Sequence, residues 1–245
     1  MGRPERCISY INTWSVVNKT ALIHSAINKE RLDVLGITKT SMRVDHAMTI
    51  NSDSVLASIS ILHVHRPRDR TGGGVAVILQ ESLRAWSFYL AGKFTSFEVD
   101  TTQLSVGTGR LNLLTIYHRP RQSSRFFAEF HDLLDEIVTL SGGHIICGSQ
   151  DCTSKTGIID QQMQQIIDDY DLCQHINEHT HSEGHTPSRY HFTAEPKISS
   201  ISIADLSFSD HSMVIASTDI SRPLPACQTF EAWNFKTLDN MDKLN

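Results

Sequence analysis

The spacing of apolar and polar positions divides the chain into many short β-type runs and a few longer helical stretches. Cys7-Ile8-Ser9-Tyr10-Ile11-Asn12 reads as a first strand. A helix is expected over residues 18–28, with Leu22, Ile23, Ala26 and Ile27 on one face at helical spacing. Leu32-Asp33-Val34-Leu35-Gly36-Ile37 forms a second, buried strand ending at Thr38-Lys39-Thr40. Strand, helix and strand at this spacing make a βαβ-like opening. Residues 41–54 are polar and irregular.

Residues 59–64 and 75–79 read as the next two strands, with Gly72-Gly73-Gly74 between them. The glycines predict a tight hairpin connection with positive φ angles. A phosphate-cradling loop would need Gly-Lys-Ser/Thr leading into a helix, whereas these glycines lead into a strand. Strands are expected again over 95–99, 103–106 and 111–117. Residues 123–140 carry the strongest helical pattern, with Phe126, Phe127, Phe130, Leu133, Leu134, Ile137 and Val138 on one broad apolar face. Ser123 or Ser124 can cap it, and Gly142-Gly143 ends it. A buried strand over 144–148 follows, with Ser149-Gln150-Asp151 at its C-terminal end. A second amphipathic helix covers 161–169, with Met163, Ile166 and Ile167 inward. After a His-rich loop over 179–186 come strands at 190–193 and 198–206. The last apolar run, Met213-Val214-Ile215-Ala216, follows directly on Ser209-Asp210-His211-Ser212. From Ser221 onward prolines and lost periodicity read as a linker.

The chain has 245 residues, 40% of them hydrophobic, enough for a sizeable core. Many strands mixed with a few long helices indicate an α/β protein with two sheets packed together and helices outside. Lys and Arg number 22 against 27 Asp and Glu, a formal net charge of −5. That balance excludes a global basic field for nucleic acid and leaves only local patches, at Arg66-Pro67-Arg68-Asp69-Arg70 and His118-Arg119-Pro120-Arg121. Solvated loops are the ordinary reading of both. The five cysteines are scattered without a CxxC pair, which argues against a zinc site or a disulfide framework. Cys7 and Cys147 fall in apolar runs, where cysteine packs as a small hydrophobe. His175, His179, His181 and His185 have the spacing of zinc ligands but fall in an expected loop. No signal peptide or membrane-length segment is visible, so the expected location is intracellular, nuclear or cytoplasmic.

An acid beside an imidazole, as in Asp210-His211, can orient the ring, hold a metal ion or raise the ring's basicity. The order of segments around that pair carries a resemblance. The segments are Ile11-Asn12-Thr13, Val17-Asn18-Lys19-Thr20-Ala21-Leu22-Ile23, Leu32-Asp33-Val34-Leu35 with Thr38-Lys39-Thr40, and Gly72-Gly73-Gly74-Val75-Ala76-Val77. Phe97-Glu98, Tyr117 with Arg119-Pro120, Ile145-Ile146-Cys147-Gly148, Gly184-His185-Thr186 and Ser209-Asp210-His211 complete the set. In this order they resemble the endonuclease/exonuclease/phosphatase family. More closely, they resemble the apurinic-type endonuclease domain of non-LTR (long interspersed) retrotransposons. The resemblance covers residues 7–217 and leaves 218–245 as a linker or truncated tail.

The resemblance implies a four-layer α/β sandwich, two mixed β-sheets face to face with helices outside. It also implies Mg²⁺-dependent phosphodiester hydrolysis, in which a positioned water attacks phosphorus and a metal offsets the developing charge. DNA is the implied partner, with an ancestral fusion to a reverse transcriptase and no small-molecule cofactor or membrane. Asn12, Tyr117, Asp210 and His211 match catalytic positions of that family, and Ser209 and Thr186 match substrate-contacting ones. Asp210 is the implied metal ligand. Asn12 reads equally as a satisfied strand-end polar group, and Tyr117 nearly as well as a core-edge aromatic with a wet hydroxyl.

Several positions depart from the pattern. The metal-binding Glu after the second strand is Lys39, the water-activating Asp is Ser149, and the Asp that would orient His211 is Ser188. Trp14 stands where an Arg is usual. At ~4 Å and a surface-like dielectric, one like charge costs roughly 4 kcal/mol and a dication twice that, so Lys39 opposes a metal. Loss of the base at Ser149 removes on the order of 10²–10⁴-fold of rate. Asp151, two residues beyond Ser149, is the alternative ligand with Asp210. For Lys39 itself, an exposed strand-end lysine is the expected reading, and a direct phosphate contact the sharper one. The expected protein is a degenerate endonuclease domain with impaired nicking; the alternative is a non-catalytic nucleic-acid- or protein-binding module on the same fold.

Overall fold

The alternating pattern of the first strand settles which side chains face which layer. In the computed structural model, which describes residues 5–42, 59–64, 73–106, 109–118, 125–150, 157–176, 180, 189–194 and 198–218, that strand is β1 (Arg6–Asn12). It leads into α1 (Thr20–Glu30), then β2 (Val34–Thr38), β3 (Ile59–Val64) and β4 (Val75–Gln80). Next come β5 (Ala85–Ser87), β6 (Phe97–Val106), β7 (Gly109–His118) and α2 (Arg125–Ile137). The chain continues through β8 (Gly143–Gln150), α3 (Gly157–Asp169), β9 (Cys173–Gln174) and β10 (Arg189–Ala194). It ends in β11 (Ile198–Ala204) and β12 (Met213–Thr218).

These strands form two six-stranded sheets, ordered β11-β12-β1-β2-β4-β3 and β5-β6-β7-β8-β10-β9. Both are mixed. In the first, β1 and β2 run parallel, as the βαβ-like opening requires, and β1 pairs antiparallel with β12. In the second, β7 and β8 run parallel and the other pairs antiparallel.

Successive strand residues face opposite sides. Ile8 and Tyr10 of β1 join Val34, Val77 and Leu79 against Leu104, Leu111, Leu113, Ile145 and Cys147 of the other sheet, making the inter-sheet core. Cys7 and Ile11 point the other way and pack with Leu35, Ile37, Met213 and Ile215 under Ile23 and Ile27 of α1. On the far side, Leu114, Ile116 and Ile146 pack against Phe126, Phe130, Leu133 and Leu134 of α2 and Met163 and Ile166 of α3. The result is the expected four-layer α/β sandwich. Among the described residues no helix is long and apolar enough to cross a membrane.

The structure corrects the segment reading at several points. The two strands expected over 95–99 and 103–106 are one ten-residue strand, β6, which pairs with β7 along its whole length. Its polar middle is tolerated because Thr102 donates its hydroxyl to Asp100 at 2.8 Å inside the sandwich. Burial pushes the Asp100 carboxyl upward, and the Thr102 hydroxyl partly offsets this. The short strands β5 and β9 carry too few residues for a periodic signal. Leu22 and Val138, both placed on inward faces from sequence, are largely exposed. Val138 lies one residue past the end of α2, where the helical spacing no longer applies. Cys7 and Cys147 are buried as expected, and burial alone raises the Cys147 thiol far above its usual range. The expected caps Ser123 and Ser124, the His-rich loop over 179–186 apart from Thr180, and the tail from 219 on lie outside the described residues.

One close approach sets the spacing of the sheets. A Cβ on Gly36 of β2 would lie 2.9 Å from Thr115 Oγ1 and 3.3 Å from Thr115 Cγ2 of β7. Thr115 is fully buried and β-branched, so it cannot swing aside. Gly36→Ala is therefore expected to lower stability by about 1–3 kcal/mol. Chemical denaturation of both proteins measures this.

A second clamp joins α2 to the loop before β6. Glu129 accepts hydrogen bonds from the Thr95 amide (2.7 Å) and hydroxyl (2.8 Å) and from the Ser96 amide (2.8 Å) and hydroxyl (2.7 Å). Burial alone would raise this carboxyl, but the hydroxyl and amide donors of Ser96 and Thr95 together hold it down at about 2, below its ordinary 4.5. A depressed folded-state value means this contribution is complete above the ordinary carboxyl range and fades as pH falls from about 4.5 toward about 2. Glu129→Gln should cost about 1.5–3 kcal/mol at neutral pH, with the deficit shrinking in acid. Denaturation midpoints across that pH window test both the size and the sign.

Candidate functional site

Strand ends of both sheets converge at one mouth of the sandwich. β1, β2, β7 and β8 deliver their C-terminal residues there, and β4 and β6 their N-terminal ones. From the first sheet come Asn12 and Thr38, paired in register, and the following Lys39. From the second come Glu98, paired with Tyr117, and Ser149, paired with both Tyr117 and Arg189.

The Ser209-Asp210-His211 turn is tied to the end of β1 across nearly the whole chain. Ser209 donates its hydroxyl to the Asn12 carbonyl at 2.7 Å and accepts the His211 amide at 3.0 Å. Its single proton is committed to the backbone, so toward a ligand it can only accept. His211 is buried, and its Nε2 stands 4.0 Å from Oδ1 of the half-buried Asp210. That separation allows an electrostatic contact but is too long for a hydrogen bond. Ser212 adds a backbone tie to the Thr180 carbonyl at 2.9 Å.

Asn12 is buried, and its side-chain oxygen faces the Trp14 amide at 3.4 Å. The turn it starts places Trp14 at φ 59°, in the left-handed region, with the ring 66% exposed. Lys39 stands at φ 55°. Its ammonium lies 5.7 Å from the Trp14 ring centre and 5.9 Å from that of Tyr117, within cation–π range of both. The exposed strand-end lysine expected from sequence is thus a partly buried one turned toward the mouth. Two aromatic faces attract the cation, and the left-handed backbone at residue 39 directs it there.

The loops carrying Trp14 and Lys39 are laced together. Val16 donates to the Thr40 carbonyl at 3.0 Å and Thr13 to the Thr38 carbonyl at 3.1 Å, while Lys19 Nζ donates to the Thr13 carbonyl at 2.8 Å. Thr40 and Ser41 donate to the carbonyls of Gly74 and Gly73 at 3.2 and 2.8 Å. Gly73 and Gly74 have positive φ, 98° and 91°, as expected. The connection itself spans residues 65–74 between the paired Val64 and Val75, longer than a tight turn. The Gly74 amide donates to the Glu98 carboxylate, and a Cβ on Gly73 would lie 2.8 Å from that carboxylate. The glycine turn therefore wraps an internal anion, Glu98, and not a phosphate.

A resident Mg²⁺ needs hard oxygen donors, usually one or two carboxylates. Among the described residues no three His, Cys, Asp or Glu side chains converge on a cation seat. Where the resemblance calls for a metal-binding Glu stands the Lys39 ammonium, within cation–π range of two rings, while Asp210, the implied metal ligand, keeps its carboxylate. Ser149 occupies the last turn of β8 in register with Tyr117, while Asp151, Thr186 and Ser188 lie outside the described residues. Sequence reading assigned no role to Glu98 or to Trp14. The signals were present, in the pairing of Phe97-Glu98 with the Tyr117 strand and in a tryptophan one residue past a strand-end turn, but both needed the second sheet to give them meaning.

No family model and no curated protein matches this sequence. Solved structures do. The AP endonuclease LMAP from Leishmania major aligns with TM-score 0.71 at 13% identity, over 90% of this chain and 89% of that one. The endonuclease/exonuclease/phosphatase from Bacteroides vulgatus aligns with TM-score 0.69 at 11% identity, over 89% of this chain and 100% of that one. The endonuclease domain of TRAS1, a telomere-specific non-LTR retrotransposon, aligns with TM-score 0.63 at 12% identity, over 87% of this chain and 98% of that one. At such identities the likeness speaks for architecture alone, and this chain has the fold of the endonuclease/exonuclease/phosphatase proteins.

Proposed function

We propose that this chain is a retrotransposon-derived endonuclease-like domain whose ancestral, Mg²⁺-dependent nicking of DNA is impaired. The observation that carries the reading is the Lys39 ammonium between Trp14 and Tyr117, where the family pattern calls for a metal-binding carboxylate. A fixed positive charge there repels a dication by several kcal/mol, on the scale of roughly 4 kcal/mol per unit charge at ~4 Å. Asn12, Tyr117, Asp210 and His211 remain as the ancestral machinery, joined by Asp151.

Each has a task that needs no metal. Tyr117 offers a phenolic proton to a phosphate oxygen, and Lys39 offers ammonium protons to the same group. His211 gives a proton to the leaving oxygen, with the Asp210 carboxylate 4.0 Å from its Nε2. Ser209 holds the turn that carries both. Positioning and charge stabilisation survive in this set, while the general base does not, because Ser149 is a hydroxyl at the base position. DNA is the proposed partner, residues 7–217 the proposed domain and 218–245 the proposed linker toward an ancestral reverse transcriptase.

Supercoiled plasmid incubated with Mg²⁺ tests the proposal. The wild-type chain is expected to nick no faster than His211→Ala. The double substitution Lys39→Glu with Ser149→Asp restores the two acidic positions and should raise Mg²⁺-dependent nicking by on the order of 10²-fold. Vigorous nicking by the wild type that His211→Ala abolishes would refute the impairment.

A further inference from the structure

We propose that the open edge of β5, with Arg84 and Trp86, is a docking strip for an acidic, extended polypeptide segment of a partner protein, which adds to the second sheet as a further strand. The strip lies away from the mouth: Glu98 and Ser105 stand near opposite ends of β6, roughly 23 Å apart at the rise of a strand. The inference is therefore independent of the function proposed above.

Backbone pairing carries the first step. β5 is the terminal strand of its sheet, and among the described residues it pairs with β6 alone. Ser105 donates its amide to the Arg84 carbonyl at 2.8 Å, and Phe88 donates to the Thr101 carbonyl at 3.1 Å. In an antiparallel ladder, residues bonded inward alternate with residues whose N–H and C=O point outward. Arg84, Trp86 and Phe88 thus bond toward β6, and Ala85 and Ser87 turn their amides and carbonyls to the open edge. Alternating donors and acceptors along an edge are matched by another polypeptide backbone. A nucleic acid, whose backbone offers acceptors, does not match them.

Side-chain chemistry selects the segment. Successive strand residues face opposite sides, so Arg84 and Trp86 share one face. By the register of β5, β6 and β7, Arg84, Ser105 and Arg110 form one cross-strand row on it. Two strand spacings, about 10 Å, separate the arginines. Both are exposed, and among the described residues neither forms an ion pair, with Glu81 of the preceding turn or with any other carboxylate. The Glu136 carboxylate, which meets the following segment, is engaged by the Ala91 and Gly92 amides.

Trp86 is 41% exposed, and Tyr89, just past the end of β5, is 99% exposed. A charge on a short edge strand ordinarily guards it against pairing. Exposed aromatic rings beside that charge defeat such a guard, and Trp, Tyr and Arg together are the composition of interface hot spots. The row that continues from Trp86 is held in place: Gln103 donates to Asn112 Oδ1 at 2.6 Å, and Asn112 donates to the Ser141 carbonyl at 3.2 Å. A carboxylate on the incoming strand meets Arg84, and an apolar side chain two residues away meets Trp86. A second copy pairing through its own β5 would bring guanidiniums in place of carboxylates, so self-pairing is disfavoured.

The probe is a short fluorescein-labelled peptide with threonine at alternate positions and glutamate and valine taking turns between them. Fluorescence anisotropy with the full chain should show saturable binding that weakens with added salt. The same peptide with lysine for glutamate should bind about tenfold more weakly. Arg84→Met should weaken binding about 2- to 5-fold, and Trp86→Ala about 5-fold or more. Ser87→Pro removes an amide that faces the edge and leaves the β6 ladder intact. It should abolish binding while its thermal unfolding midpoint stays near that of the wild type. If Ser87→Pro does not fold, hydrogen exchange of the Ala85 and Ser87 amides replaces it, and both should slow when the peptide is added. Absent binding by the wild type, equal binding of the lysine peptide, binding by folded Ser87→Pro, or edge amides that exchange unchanged would each overturn the inference. Displacement of the peptide by oligothymidylate would assign the strip to nucleic acid and overturn it as well. So would a concentration-dependent dimer in sedimentation that Trp86→Ala abolishes, which would assign the edge to a second copy.

Discussion

The structure depends on how closely two sheets can approach. Ile8, Tyr10, Val34, Val77 and Leu79 on one inner face meet Leu104, Leu111, Leu113, Ile145 and Cys147 on the other. Burying these side chains stabilises the sandwich, at about 25 cal/mol for each Å² of apolar surface removed from water. The approach is limited by the absent side chain at Gly36, which lets Thr115 close on β2. Tyr10 adds a polar pin within the core, its hydroxyl 2.7 Å from Thr38 Oγ1. That pin lies one residue before Lys39, so the packing that joins the sheets also fixes where the strand exit at residue 39 points.

The mouth of the sandwich inherits its geometry from this packing. Lys39 reaches Tyr117 only because β2 and β7 belong to sheets held face to face, and Glu98 receives the Gly74 amide for the same reason. The site is therefore built from both sheets, with Asn12, Trp14 and Lys39 on one side and Glu98 and Tyr117 on the other. The Ser209 turn joins it from a third direction by a hydrogen bond spanning 197 positions in sequence. Local loops contribute rigidity: the glycines around Glu98 supply conformations and space that no other residue allows.

Charge decides what such a mouth can hold. The fold is shared with nucleases, but a fold carries no activity without its site. At this mouth Lys39 brings a positive charge, and the rings of Trp14 and Tyr117 stand within cation–π range of it.

Much of the architecture was legible in the chain itself. Short apolar runs such as Cys7–Asn12 and the seven-residue apolar face around Phe126 and Phe130 announced strands and helices, because length and spacing follow the geometry of the element. The order of motifs led to a two-sheet sandwich, and the substitutions at residues 39, 149 and 188 were visible as letters. What the letters could not give was contact. Lys39 reads as a strand-end lysine because sequence carries no record of Trp14 and Tyr117 standing beside it. Glu98 reads as a polar residue in a strand until a glycine turn from the other sheet closes on it. Period and spacing are local properties of the chain, whereas the mouth joins residues as far apart as Asn12 and Ser209, and only tertiary packing brings those together.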